Sequence, residues 1–151
     1  MIKIYDNYMN EDEMTSLYSY GVTASYDIGW DDTSTIEHRQ YPCLYHKLPE
    51  VELQPLQQYF DTTPELRGWT TNRAVINLVT PSSINFRHNH GKEFYGETIF
   101  YGSKGEDDKV VSYKPNRAVI FSGELPHSIR PASFVAPSYR FTLSIFFHKL
   151  H

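Results

Sequence analysis

"KPNRAVIFSGELPHSIRP", residues 114–131, decides the fold class. A Pro-Asn pair opens a turn, and "RAVIF" is the short apolar run of a buried strand. "SGELP" then turns the chain again, and His127 starts the next extended run. The same rhythm holds from residue 69 onward: "TTNRAVINLVT", "SINFRHNH", "GETIFYG", "KVVSYK", "NRAVIFSG", "SIRPAS" and "YRFTLSIFFHK". Gly, Pro, Asn and Asp separate these runs at the spacing of about 8–12 residues typical of antiparallel sandwiches and barrels. The sequence therefore predicts a compact β-sandwich or jelly roll over 69–151.

Upstream the texture differs. "MIKIYDNY" alternates like a strand. In "NEDEMTSLYSYG", Asn10 is placed to cap a helix, with Glu13 three residues on and Gly21 as a stop. Residues 22–47 are rich in turn formers and predict loop, with one strand around "RQYPCLYHK". "LPEVELQPLQQYF", residues 48–60, keeps a helical spacing of apolar residues, with Pro55 starting a second turn or splitting the segment. Residues 1–68 are thus expected as a helical cover with loops, forming a single domain with the β core.

Bulk properties agree with one soluble globular domain: 151 residues, 40% hydrophobic, net charge -4. Fourteen basic against eighteen acidic side chains argue against a nucleic-acid partner. The single cysteine, Cys43, rules out an internal disulfide and points to a reducing compartment, the cytoplasm. The opening residues lack a signal-like apolar run, and no stretch is apolar enough to predict a membrane span.

The polar residues carry the chemistry. Strand alternation puts Ile84, Phe86, His88 and His90 on one face, so two imidazoles project together. His127 begins a later strand, and jelly-roll strands distant in sequence lie side by side, so it can complete the site. Three imidazoles, or two with a carboxylate, suit a divalent transition metal. In "YRFTLSIFF", Phe141, Leu143, Ile145 and Phe147 form an apolar face, while Arg140, Thr142 and Ser144 lie on the other. If the apolar face packs on the helices, Arg140 turns into the barrel, where a buried guanidinium calls for an anionic ligand. His38, His46, His148 and His151 are ordinary surface or structural histidines by comparison.

The ordered set "FRHNHGKE", "KPNRAVIFSGELPHSIRP" and "YRFTLSIFF" resembles the iron(II) and 2-oxoglutarate dependent oxygenases, in particular the small prolyl-hydroxylase-like members of bacteria and phages. The resemblance spans most of the chain; it is good over 110–148 and weak over 20–65. It implies a double-stranded β-helix, cupin-like, with N-terminal helices packed on one sheet. It also implies Fe(II) as cofactor, with 2-oxoglutarate and O2 as cosubstrates: O2 is the oxidant, 2-oxoglutarate is decarboxylated to succinate and CO2, and a prime substrate is hydroxylated. That substrate is expected to be a protein or peptide side chain. Carried over by position, His88 matches the first metal-ligating histidine and His127 the distal one. Arg140 matches the basic residue that pairs with the distal carboxylate of 2-oxoglutarate. Thr142 shares its face, and Tyr101 or Asn77 is expected to add a hydrogen bond to the cosubstrate.

One position departs from the pattern. The family has His-x-Asp or His-x-Glu where this chain has His90. Three arrangements stay open: a three-histidine site, a carboxylate from Glu93 or Glu97, or a cupin-type set of His88, His90, Glu97 and His127. The alternative functions are a cupin-type metal protein or dioxygenase that does not use 2-oxoglutarate, and a metal-free binding module on the same fold.

Overall fold

The computed structural model describes residues 1–29, 43–79, 96–129 and 140–149. The chain divides into two compact units, Met1–Ser19 with Thr80–Tyr139 and Tyr20–Val79 with Arg140–His151. All strand pairings described are antiparallel.

In the first unit, β1 (Ile2–Asp6) pairs with β7 (Arg117–Phe121), from Ile2 opposite Phe121 to Asp6 opposite Arg117. The Pro-Asn turn before β7 forms as the sequence predicts. Asn116 takes φ 56°, a region that asparagine tolerates better than most residues. Its side chain accepts from Met9 N at 2.9 Å and donates to Met9 O at 2.7 Å, which ties the chain after β1 to the turn. Asp6 accepts from Arg117 at 2.6 and 3.0 Å and from Lys114 at 3.0 Å, and these cations hold its carboxyl well below the usual carboxylate range. A second sheet has the order β6 (Lys109–Val111), β5 (Thr98–Phe100), β8 (His127–Ile129).

Helix α1 (Glu11–Thr23) starts on a reciprocal cap: Glu13 N donates to Asn10 Oδ1 and Asn10 N to Glu13 Oε2, both at 2.9 Å. Three acidic residues in its first turn complement the helix dipole. Gly21, expected as the stop, lies inside the helix and is buried. A Cβ there would touch the Phe141 ring at 3.4 Å, so the helix meets β9 closely at this point.

The second unit holds the sheet β2 (Asp27–Gly29), β3 (Cys43–Lys47), β4 (Trp69–Val79), β9 (Arg140–Lys149). The stretch 22–47, expected as loop with one strand, thus contributes two strands among its described residues. Helix α2 (Glu50–Asp61) runs unbroken through position 55, so Pro55 does not split it. It packs on β4 and β9. Gln57 donates to Trp69 O at 3.0 Å and accepts from Thr71 N at 2.8 Å, and Phe60 meets Phe147 edge to face at 5.3 Å. Leu53, Phe60, Leu66, Ala74 and Ile76 are buried around this contact. A bulge between Thr71 and Arg73 adds one residue to β4 opposite β9. Among the described residues no helix is long and apolar enough to cross a membrane.

Candidate metal and organic-acid site

The alternation read in β9 is the one the register produces. Phe141, Leu143 and Ile145 lie opposite Leu78, Ile76 and Ala74, and this is the face the helices cover, with Gly21 against Phe141 and Phe60 against Phe147. The other face carries Arg140, Thr142 and Ser144, opposite Val79, Asn77 and Val75. Tyr45 lies opposite Asn77 from β3, on the same face. Arg140 is 8% exposed, so its guanidinium is held largely out of water on a polar strip. Asn77 Nδ2 donates to Ser144 Oγ at 3.2 Å, one step along the strand from its direct opposite, Thr142. The second unit therefore brings together three expected residues, Arg140, Thr142 and Asn77, and adds Ser144 as the partner of Asn77. A planar cation flanked by hydroxyl and amide groups is chemistry that suits a carboxylate.

The first unit builds a histidine corner. His127 is the first residue of β8, as the "SGELPH" turn predicts, and lies opposite Phe100 of β5. Its Nδ1 is 2.8 Å from the carbonyl oxygen of Leu125. A carbonyl cannot donate, so Nδ1 carries a proton and, in the neutral ring, Nε2 keeps its lone pair. Among the described residues no hydrogen bond reaches Nε2. The ring is exposed on one side and rests against two phenylalanines, with centroid distances of 4.7 Å to Phe121 and 6.0 Å to Phe100. An imidazole with Nδ1 bonded to a backbone carbonyl and Nε2 available is the form in which histidine ligates a metal. His127 thus fits a divalent transition metal on the chemistry of its donor atom.

Strand alternation separates the other expected residues of this unit. Thr98, Phe100, His127 and Ile129 share one face of β5–β8, and Ile99 and Ser128 the other. Tyr101 Oη is 2.7 Å from Ser128 Oγ, so Tyr101 lies with Ser128 on the face opposite His127. Glu97, one residue before β5, is 1% exposed and continues the alternation of Ile99 and Tyr101. His88, His90 and Glu93 lie outside the described residues, and among the described residues no group of three or more His, Cys, Asp or Glu is placed to hold a metal.

What sequence reading missed in this corner is its support. Phe121 closes the run "RAVIF" and Phe100 closes "TIF", and only the register brings both to His127. The signal available was an aromatic residue ending each of the runs "TIF" and "RAVIF".

A second histidine is structural. His46 Nδ1 donates to Ser25 O at 2.8 Å, and its Nε2 lies 2.8 Å from the Tyr20 hydroxyl. Burial pushes that hydroxyl up to about 12, with the Glu52 carboxylate adding to the shift. Tyr26 is raised too, by burial, and donates to Gly21 O at 2.7 Å. Both nitrogens of His46 are engaged, as the sequence expectation of an ordinary structural histidine requires.

No family model matches the chain, and no curated protein matches it in sequence. Among solved structures it is similar to the crystal structure of a Pseudomonas putida prolyl-4-hydroxylase, with a TM-score of 0.59 and 12% identity over 99% of this chain and 93% of that one. At that identity the likeness is one of fold. The chain has a mostly β, double-stranded β-helix fold of the jelly-roll, cupin-like kind, with helices packed on one sheet.

Proposed function

We propose that the protein is an iron(II) and 2-oxoglutarate dependent dioxygenase that hydroxylates a protein or peptide side chain. The observation that carries this reading is the buried Arg140 on the polar strip of β9. A planar guanidinium matches a carboxylate bidentately, and 2-oxoglutarate presents a carboxylate of the right shape. Thr142 and Asn77 share its face and would add hydrogen bonds to the same acid.

His127 would hold the metal through Nε2, with His88 as its partner from the sequence pattern. His90, or a carboxylate from Glu93, would complete the set; Glu97, on the Ile99 and Tyr101 face, is turned away from His127. When bound, the metal and cosubstrate supply the oxidation, coupling decarboxylation of 2-oxoglutarate to succinate and CO2 with hydroxylation of the substrate. The chain's own part is to orient one imidazole and to bind one carboxylate. The likeness of fold to a prolyl-4-hydroxylase supports the reading. The substrate class rests on that likeness and on the sequence resemblance.

Anaerobically purified protein given iron(II), 2-oxoglutarate and then oxygen should release succinate, with slow uncoupled turnover even without the prime substrate. No succinate above the level of a His127→Ala control, across several iron loadings, would sink the proposal.

A further inference from the structure

We infer that Phe121 is a positioning residue for His127, acting with the Ser122–Leu125 turn to fix the imidazole as its Nδ1–H tautomer before any metal arrives. The inference deepens the metal-centre reading above and rests on it for its functional meaning, but its geometry stands alone.

Three hydrogen bonds brace the backbone on either side of the Leu125 carbonyl. Leu125 N donates to Ser122 O at 3.0 Å, closing the turn, and Glu124 N reaches Ser122 Oγ at 3.4 Å. Pro126 follows, and a residue before proline is steered to extended backbone, which limits where the Leu125 carbonyl can point. Tyr101 N then donates to Pro126 O at 2.9 Å, tying the turn to the chain leaving β5. The Leu125 carbonyl is therefore held at both ends, and it is this oxygen that takes the His127 Nδ1 proton.

The aromatic side does the rest. Phe121 stands at 68° to the imidazole at 4.7 Å, and Phe100 stands at 73° to Phe121 at 4.8 Å. A half-turn of the imidazole about its Cβ–Cγ bond would break the bond to Leu125, and the ring would have to swing past Phe121 on the way. Neither phenylalanine offers a polar partner that could reward the turned state. A free imidazole favours the Nε2–H tautomer, in which Nε2 is a donor and cannot ligate. The corner reverses that preference, so no rotamer or tautomer change is left to oppose metal binding.

The test uses the metal-free full chain, labelled with nitrogen-15, at a pH above the ordinary histidine range. Long-range proton–nitrogen correlations should report His127 as Nδ1–H in the wild type and in Phe121→Tyr. In Phe121→Leu they should move towards the Nε2–H form. Titration with Co(II), a spectroscopic substitute for iron(II), should show affinity falling by about 10–100-fold in Phe121→Leu, with Phe121→Tyr close to wild type. An Nε2–H wild-type ring overturns the inference without any variant, so a poorly folding Phe121→Leu does not protect it. An unchanged tautomer and unchanged Co(II) affinity in a folded Phe121→Leu overturns it as well. If the wild type binds no Co(II) through His127 but loses its Nδ1–H form in Phe121→Leu, the positioning role is supported and the metal-centre reading alone falls.

Discussion

Asn77 lies directly opposite Thr142 across β4 and β9, yet its amide donates along the strand to Ser144 Oγ at 3.2 Å. The amide is thereby steadied on the face that also carries the buried Arg140. A strip of this kind has one strong group and several weak ones. Arg140→Ala should weaken 2-oxoglutarate binding by about 1.5–3 kcal/mol, the usual worth of a hydrogen bond to a charged group, or roughly 10–100-fold in Kd. Asn77→Ala should cost less, about 0.5–1.5 kcal/mol. Calorimetric titration of 2-oxoglutarate into the metal-loaded variants measures both. A cupin-type protein indifferent to 2-oxoglutarate would show neither loss.

The Tyr20–His46 pair gives the fold an alkaline limit. Tyr20 is raised from its ordinary value of 10.0 to about 12, mainly by burial and then by Glu52. A group whose folded pKa is raised holds its proton more tightly when folded. Its contribution to stability is complete below pH 10 and is lost as pH rises from about 10 to 12, where the unfolded chain ionises first. Urea unfolding at a series of alkaline pH values should show stability falling through that window, and Tyr20→Phe should flatten the fall. A residual slope is expected from Tyr26, which burial also raises. An identical slope in Tyr20→Phe would refute the assignment.

Parts of this fold are written locally, and those were legible. The Asn10–Glu13 cap is an i, i+3 pattern and forms as read. The two faces of β9 follow from a period of two, and His127 heads β8 because the turn before it is spelled in Ser, Gly and Pro. What escaped reading depends on partners far along the chain. Nothing in "DIG" announces an edge strand until Tyr45 and Leu44 lie opposite it. Gly21 reads as a stop because glycine usually ends helices, whereas here the helix continues to Thr23 and the glycine faces Phe141 of a strand far along the chain. The letters do not choose between Tyr101 and Asn77 as a hydrogen-bond partner for the cosubstrate, whereas the register puts the Tyr101 hydroxyl at Ser128, on the face away from His127. The candidate site was thus legible in its residue types and less so in which face each one occupies.

The face of Tyr101 makes its own prediction. If the metal is bound on the His127 side of β5–β8, Tyr101→Phe should leave 2-oxoglutarate affinity within about twofold of wild type. The cost should be the Ser128 contact alone, about 0.5–1 kcal/mol of stability for an exposed neutral pair. A large loss of cosubstrate affinity with unchanged stability would show that the hydroxyl leaves Ser128 when the acid binds.

Helix α1 should depend on its cap. Asn10→Ala removes the acceptor for Glu13 N and loosens the return bond from Glu13, which together are worth about 1 kcal/mol. In a chain of this size that is a fall in Tm of roughly 2–6 °C. Asn10→Asp should hold the cap, and its added charge meets the helix dipole favourably against three acidic neighbours that oppose it. Thermal unfolding of the two variants side by side separates a lost cap from a general surface effect.

At the acid end, the Asp6 carboxylate between Arg117 and Lys114 sets the sign. Hydrogen bonds from Arg117, then Lys114, lower its pKa in the folded chain. A depressed folded pKa means stability that is present above the ordinary aspartate range near 4 and is lost as pH falls below it. Because the group is exposed, salt should screen the effect. Asp6→Asn should therefore lower stability at neutral pH and change it little once the wild-type carboxyl is protonated, so the two unfolding curves converge as pH falls. Raising the salt concentration at neutral pH should narrow the gap in the same direction. If the gap persists at low pH and high salt, the strand pair β1–β7 is held there by something other than the charge on Asp6.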